Sequence, residues 1–246
     1  MKKETARIIR FIKKTLKEQG FNQTIIAVSG GVDSAVSLML LTQAIGPKNI
    51  LVIKLPYAKQ NMDLADKIIK QAKIPTKNII NINIAPMVKQ IASTTNRLRL
   101  GNIMVRVRMI LLYDLAKKHQ TMVCGTENRS EYLLGYFTRY GDEAADFAPI
   151  RHLYKTQVYQ LAEYLGIPRA IIDQSPTAGL WPGQTDEAEF GFTYQEADQV
   201  LKLYCDDQLS LEQIKNRGFN QAGKIIQRVK NNQFKHQTPY GLTDGL

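Results

Sequence analysis

Residues 24–34 read Thr-Ile-Ile-Ala-Val-Ser-Gly-Gly-Val-Asp-Ser. The first five are apolar and largely β-branched, which predicts a buried strand. Ser29-Gly30-Gly31 predicts a sharp turn, and the apolar periodicity of 34–45 predicts a helix. A glycine-rich turn between strand and helix aims backbone N–H groups at one point, and the helix dipole adds partial positive charge there. The expected occupant is phosphate. Asp33 places a carboxylate beside that phosphate, an arrangement that calls for an intervening cation and so implies Mg²⁺. A Gly-Gly pair alone would equally suit a tight turn that closes a strand–helix unit.

Working outward, apolar runs at 50–55, 79–84 and 121–124 alternate with helical patterns at 61–72, 86–93 and 102–118. This alternation predicts an α/β fold, a doubly wound parallel sheet with helices on both faces. Such sheets bind ligands beyond the carboxyl ends of their strands, where the strand order reverses. If 24–28 and 121–124 are neighbours, the loops 29–34 and 125–131 face one crevice. Helical patterns at 154–165, 194–204, 210–216 and 220–231 predict a helical C-terminal part. Residues 176–191, rich in Pro, Gly and acids and holding the only Trp, Trp181, read as a long loop. Its 179–191 part, with 192–194, is expected to order when nucleotide binds. At the N terminus Ile8, Phe11, Ile12 and Leu16 recur at helical spacing opposite Lys and Arg.

The chain has 246 residues, 44% hydrophobic and 22% charged, which suits a single globular domain over 1–246. No apolar run is long enough to span a membrane and no export signal begins the chain, so no membrane partner is expected. Cys124 and Cys205 form no CxxC pair, which fits a reducing, cytoplasmic setting. The net charge of +11 admits nucleic-acid binding and also suits an enzyme of polyanionic nucleotides. The surplus is dispersed over helix faces, such as Lys13, Lys14 and Lys17. No basic run interleaves with aromatics, so no nucleic-acid partner is expected.

Ser-Gly-Gly-Val-Asp-Ser lacks the lysine of a Walker A loop. It resembles the PP-loop of ATP pyrophosphatases, which split ATP between the α and β phosphates. Residues 125–146 fit GTxNxSExxxGYFTxxGDxxxD, and together with 97–109 (RLRLGNIMVRVRM) and 176–187 (PTAGLWPGQTDE) they resemble the NAD synthetase family. The resemblance implies an adenine nucleotide alpha hydrolase-like, Rossmann-like fold. It also implies a ligase: ATP adenylates the nicotinate carboxylate of deamido-NAD, and ammonia displaces AMP to give NAD. With no length for a glutaminase domain, the ammonia-dependent type is implied, as is a homodimer.

Residue by residue, the resemblance assigns Ala27, Val28, Ser29, Gly30, Gly31, Val32, Ser34, Thr126, Lys155 and Thr177 to ATP, and Asp33 and Glu131 to Mg²⁺. Asp33 and Lys155 would be catalytic. Arg106, Arg139, Asp146, Phe234 and Lys235 would contact deamido-NAD. Guanidinium groups suit its pyrophosphate or carboxylate, since both pair bidentately. Plainer readings stand beside these. Arg106 could belong to a solvated face, Glu131 could be a first-turn helix acid, Thr177 a turn residue and Asp146 a loop cap. The family's basic C-terminal segment here reads Phe234-Lys235-His236-Gln237-Thr238-Pro239, with Phe234 where His is common. Two other readings are a PP-loop enzyme acting on tRNA and a non-catalytic basic nucleotide- or nucleic-acid-binding protein. The first lacks a visible RNA-binding module. The second leaves Asp33 and Glu131 unexplained.

Overall fold

The computed structural model describes residues 1–236. Helix α1 (Lys2–Glu18) precedes β1 (Thr24–Ala27), α2 (Val32–Ile45), β2 (Ile50–Lys54), α3 (Asp63–Gln71) and β3 (Ile79–Asn81). Two helices, α4 (Ala85–Ile91) and α5 (Arg97–His119), then lead to β4 (Met122–Cys124) and the short α6 (Arg129–Leu134). The C-terminal part holds α7 (Lys155–Tyr164), α8 (Arg169–Ile172), α9 (Asp186–Phe190), α10 (Tyr194–Leu201), α11 (Leu211–Lys215) and α12 (Ala222–Asn232).

The four strands are parallel in the order β3-β2-β1-β4. The chain steps from β1 to β2 to β3 and then returns to the far side of β1. The strand order therefore reverses between β1 and β4. Alternation along the strands sends side chains to opposite faces. Ile26, Val52 and Cys124 join one apolar core with Ile12 of α1, Leu38 of α2, Ile68 of α3 and Val158 of α7. Ile25, Ile53 and Val123 join a second core with Val88 of α4 and Leu112 and Leu115 of α5. Both sheet faces are thus covered, as parallel strands require. A third cluster, with Leu134, Phe190, Tyr194, Val200, Ile214 and Ile225, binds α6 to the C-terminal helices.

The expected strands and helices are present, with four differences of physical interest. Phe11 is not on the buried face of α1; it is 44% exposed, while Thr5, Ile8, Ile12 and Leu16 form the packed stripe. Helix α5 begins earlier than its apolar periodicity because the Asn96 side chain accepts the Arg99 N–H at 3.0 Å and caps it. The apolar residues of the 102–118 pattern do not all face the core: Val107 is buried and Ile110 is 57% exposed. The 176–191 loop contains α9, and Phe190, Phe192 and Tyr194 are all buried.

Leu38 is fully buried on α2, within the apolar core that joins α1, α2, α3 and α7 to the sheet. Leu38→Ala is expected to cost about 3 kcal/mol and to lower the melting temperature by about 6–12 °C. Calorimetry checks this; a shift within error would mean that the helix repacks freely around the lost side chain.

Candidate functional site

Because β1 and β4 are adjacent and parallel, with Ile26 opposite Cys124, the loops that follow them open at the same edge of the sheet. The first loop is preformed. The Ser29 hydroxyl accepts the Gly31 N–H at 3.3 Å, and the Ser34 hydroxyl donates to the Gly31 carbonyl at 3.0 Å. Gly30 has φ +92°, and a Cβ there would lie 2.9 Å from the Ala65 backbone nitrogen of α3. Only glycine fits this conformation and this approach. Gly31 is the N-cap of α2, so the helix's first unpaired N–H groups face the crevice.

The second loop meets the first through Lys155. Its ammonium lies 2.5 Å from Asp33 Oδ2 and 3.1 Å from Glu131 Oε1. Asn128 closes the ring: its Nδ2 donates to Asp33 Oδ1 at 2.9 Å, and its Oδ1 accepts the Glu131 N–H at 3.0 Å. Glu131 in turn accepts the Asn128 N–H, completing a capping box at the start of α6. Lys155 is 2% exposed. Burial alone would depress its pKa, but Asp33 and Glu131 outweigh burial and hold it above its ordinary value. Burial pushes the Glu131 carboxyl up, against the pull of Lys155.

A further layer fixes Lys155. Its backbone N–H donates to Ser130 Oγ at 2.8 Å, and that hydroxyl donates to Asp198. Asp198, buried on α10, also accepts the Thr156 N–H at 2.8 Å. The ring of Tyr194 lies 5.2 Å beneath the ammonium, and its hydroxyl donates to Asp186 at 3.1 Å. The C-terminal helical cluster therefore holds the edge of the sheet where the two loops meet.

A cleft of about 770 Å³ runs along this edge, within the size range of small-molecule sites. Ala27, Val28, Ser29, Gly31, Asp33 and Ser34 line it, as do Thr126, Glu131 and Thr177. So do Arg106, Arg139, Phe234 and Lys235. The Arg106 guanidinium donates twice to the Arg139 carbonyl, at 3.0 and 3.3 Å. Lys235 donates to the carbonyls of Gly135 and Phe137 at 2.6 and 2.9 Å, and the Arg139 guanidinium lies 5.5 Å from the Phe234 ring. The C-terminal segment thus docks on the 135–139 turn as far as His236, whose ring nitrogen lies 2.6 Å from the Tyr132 carbonyl. Gln237, Thr238 and Pro239 lie outside the described residues.

Gly30, Val32, Lys155 and Asp146 stand apart from the cleft lining. Val32 packs into the core, Gly30 backs onto α3, and Lys155 lies behind the two carboxylates. Asp146 is exposed and accepts the Val123 N–H at 2.6 Å, closing the open edge of β4. Asn128, Asp198 and Tyr194 were not singled out from sequence, nor was Arg228, which reaches the cleft from α12. The Asn-x-x-Glu spacing of a capping box was the available signal for Asn128.

A doubly wound sheet whose switch-point loops carry a glycine turn, two carboxylates and a buried lysine defines an α/β protein built around nucleotide phosphates. The chain belongs to the NAD synthase family, whose model matches residues 4–239. It is 42% identical to the NH(3)-dependent NAD(+) synthetase of Pyrococcus furiosus, over 97% of this chain and 93% of that one. Among solved structures, NMN synthetase from Francisella tularensis superposes with a TM-score of 0.81 at 32% identity, covering 100% and 98% of the two chains. The NH3-dependent NAD synthetase of Campylobacter jejuni, solved with nitrate, also gives 0.81, at 28% identity and 98% and 99% coverage.

Two outcomes follow from this geometry. Gly30→Ala is expected to weaken ATP affinity at least about tenfold, since forcing φ positive on a side-chain residue costs about 1–3 kcal/mol. Titration calorimetry reads it, and unchanged affinity would mean that the loop tolerates a Cβ. The second concerns Glu127, which is 7% exposed and lies 3.3 Å from the Arg151 guanidinium. Burial pushes its pKa from 4.5 up to about 8 despite Arg151. The native state then binds more protons than the unfolded chain, so this group's contribution falls as pH rises from about 4.5 to about 8. Relative to Glu127→Gln, the wild-type melting temperature should fall between about pH 5 and about pH 8. Parallel curves would show that Glu127 titrates normally.

Proposed function

We propose that this protein forms the amide of NAD from deamido-NAD, ATP and ammonia, releasing pyrophosphate and AMP. Family membership and the activity of its named relatives support the reading. The structural observation that carries it is the Asp33–Lys155–Glu131 cluster at the mouth of the 29–34 turn. A phosphate seated on the N–H groups of that turn meets carboxylates that would repel it. Those carboxylates make chemical sense with a divalent cation between them and the phosphate.

The residues present fit Mg²⁺. Two carboxylates that converge on one point, with phosphate and water completing the shell, are its usual protein environment. Asp33 and Glu131 would hold it, and when bound it would neutralise the phosphate oxygens. Among the described residues no group of three or more His, Cys, Asp or Glu could hold a metal ion. Ser29, Ser34 and the backbone of the turn would then hold the phosphates, with Thr126 and Thr177 at the nucleotide. Lys155, released from the carboxylates, would face the charge that develops at the α-phosphate as the acceptor carboxylate attacks. Arg106 and Arg139, tied together, would hold the acceptor's phosphates, with Phe234 and Lys235 closing over it. Asp146 would act from outside the cleft.

The chain would act as one synthetase domain and as a homodimer. The exposed apolar residues Ile91, Leu98 and Ile110 on α4 and α5 support a second copy there. No described helix is long and apolar enough to cross a membrane. Cys124 and Cys205 are free thiols, which supports a reducing compartment such as the cytoplasm. A second reading replaces the dinucleotide acceptor with the mononucleotide. The likeness to an NMN synthetase and the altered residues Phe234 and His236 favour testing it.

Incubation with ATP, Mg²⁺, ammonium and deamido-NAD should yield NAD and AMP in equal amounts, separated by chromatography. A parallel reaction with nicotinic acid mononucleotide decides the acceptor: faster turnover there would overturn the dinucleotide reading. Asp33→Ala should abolish AMP formation and keep a native circular dichroism spectrum, and chelation with EDTA should do the same reversibly. Persistent turnover in either case would remove the metal role.

A further inference from the structure

Two acids on one stretch of helix bridge the starts of α6 and α7. Asp198 of α10 accepts the Ser130 hydroxyl of α6 and the Thr156 N–H of α7. Asp206 follows where α10 runs on. Its Oδ1 pairs with the guanidinium of Arg129, the first residue of α6. Its Oδ2 accepts the hydroxyl of Tyr154, the N-cap of α7, at 2.8 Å. Each acid therefore holds both helices, next to the residues that carry Glu131 and Lys155.

A regular α-helix does not align these two acids. Positions 198 and 206 would stand about 80° out of line at 3.6 residues per turn. Here α10 widens into a π turn over Lys202–Asp206, in which the Asp207 N–H donates to the Lys202 carbonyl at 2.9 Å. Such a turn takes up one surplus residue, and π turns are frequent at functional sites. This one brings Asp206 round to the helices that Asp198 already holds. Between the two acids, the Arg129 N–H donates to the Leu153 carbonyl and the Lys155 N–H to the Ser130 hydroxyl, both at 2.8 Å. The Arg129 guanidinium also lies 5.4 Å from the centre of the Tyr154 ring. Arg129, Tyr154 and Asp206 do not line the cleft, so their effect on chemistry runs through Glu131 and Lys155.

We propose that Asp206 is a positioning residue: from outside the cleft it locks α6 to α7 and sets where the Lys155 ammonium stands relative to Glu131 and the nucleotide phosphates. The proposal rests on the amide-forming activity above. In that reaction the lysine leaves Asp33 and Glu131 for the charge that develops at the α-phosphate. The start of α7 has to stay fixed while the side chain swings, because a displacement of about 1 Å can cost about a hundredfold in rate. ATP binding draws on the 29–34 turn, which Asp206 does not touch. Loss of Asp206 therefore falls on kcat rather than on KM.

The experiment measures initial rates of AMP and NAD formation with ATP and deamido-NAD varied in turn, per amount of folded protein. Asp206→Ala is expected to lower kcat at least about tenfold and to leave the ATP KM within about threefold. Asp206→Asn still accepts from Tyr154 but loses the charge opposite Arg129, so it should fall between Asp206→Ala and wild type. In an Arg129→Gln background the same Asp206→Asn change should cost less than about twofold, because its partner is already gone. Leu38→Ala is the destabilised control and should keep its kcat. A readout that needs no turnover is nuclear magnetic resonance of protein carrying isotope-labelled lysine. The buried Lys155 ammonium is assigned there by its absence from Lys155→Met, and its resonance should shift or broaden in Asp206→Ala and Asp206→Asn. If Asp206→Ala fails to fold, Asp206→Asn decides alone. An unchanged kcat in Asp206→Asn, an equal loss of kcat in Leu38→Ala, or a Lys155 resonance that stays in place would overturn the positioning role and leave the synthetase reading standing. A displaced resonance in the variants of a protein whose wild type forms neither AMP nor NAD would overturn the synthetase reading and keep the lock between the helices.

Discussion

The buried ammonium of Lys155 between Asp33 and Glu131 is the contact on which the rest of the arrangement depends. It joins α2, α6 and α7, which enter the site from separate parts of the chain. Charges taken out of water are tolerable only when paired and hydrogen-bonded. Each partner here satisfies that condition through the other two and through Asn128. Losing one member with no other charge in its place would leave buried charge without compensation.

That unit is supported from behind by elements far from the nucleotide turn. Asp198 on α10 fixes Ser130 and the first peptide N–H groups of α7, and Tyr194 underlies the ammonium. The C-terminal cluster around Leu134, Phe190 and Ile225 supplies the apolar packing that keeps α10 in place. The helical part is therefore the backing of the sheet's catalytic edge. Lys235, gripping the carbonyls of Gly135 and Phe137, extends the same backing to the turn that carries Arg139.

Local pattern made much of this legible. The strand, Gly-Gly turn and helix at 24–45 are short-range features, and the alternation of runs predicted the parallel sheet. The adjacency of β1 and β4 stood only as a condition in the sequence, and the pairing of Ile26 with Cys124 supplies it. What local pattern could not reach were contacts between distant residues. Asp198 sits in an amphipathic helix and reads as a surface acid, yet it is buried because a backbone donor, the Thr156 N–H, and the Ser130 hydroxyl await it across the fold. Lys155 is the first residue of α7, where the helix dipole disfavours a cation. That misfit is a sequence-visible sign of a partner elsewhere, although resemblance to the family singled the residue out first. Phe11 and α9 went unread because packing overrode a hydrophobic count and a Pro- and Gly-rich composition.

The separation of Asp33 and Lys155 by 122 positions bears on how the protein comes into being. Synthesis runs from the N terminus, so the glycine turn and its aspartate leave the ribosome long before their counter-ion. The strand that completes their crevice, β4, pairs with β1 across 98 positions. A nascent chain can build α1, β1, α2 and β2 from near neighbours, but its acidic pocket has no cation until α7 emerges. Closure of this charge cluster is therefore a late event in the growing chain, and a fragment ending before residue 155 would carry the turn without the lysine that pairs with its aspartate.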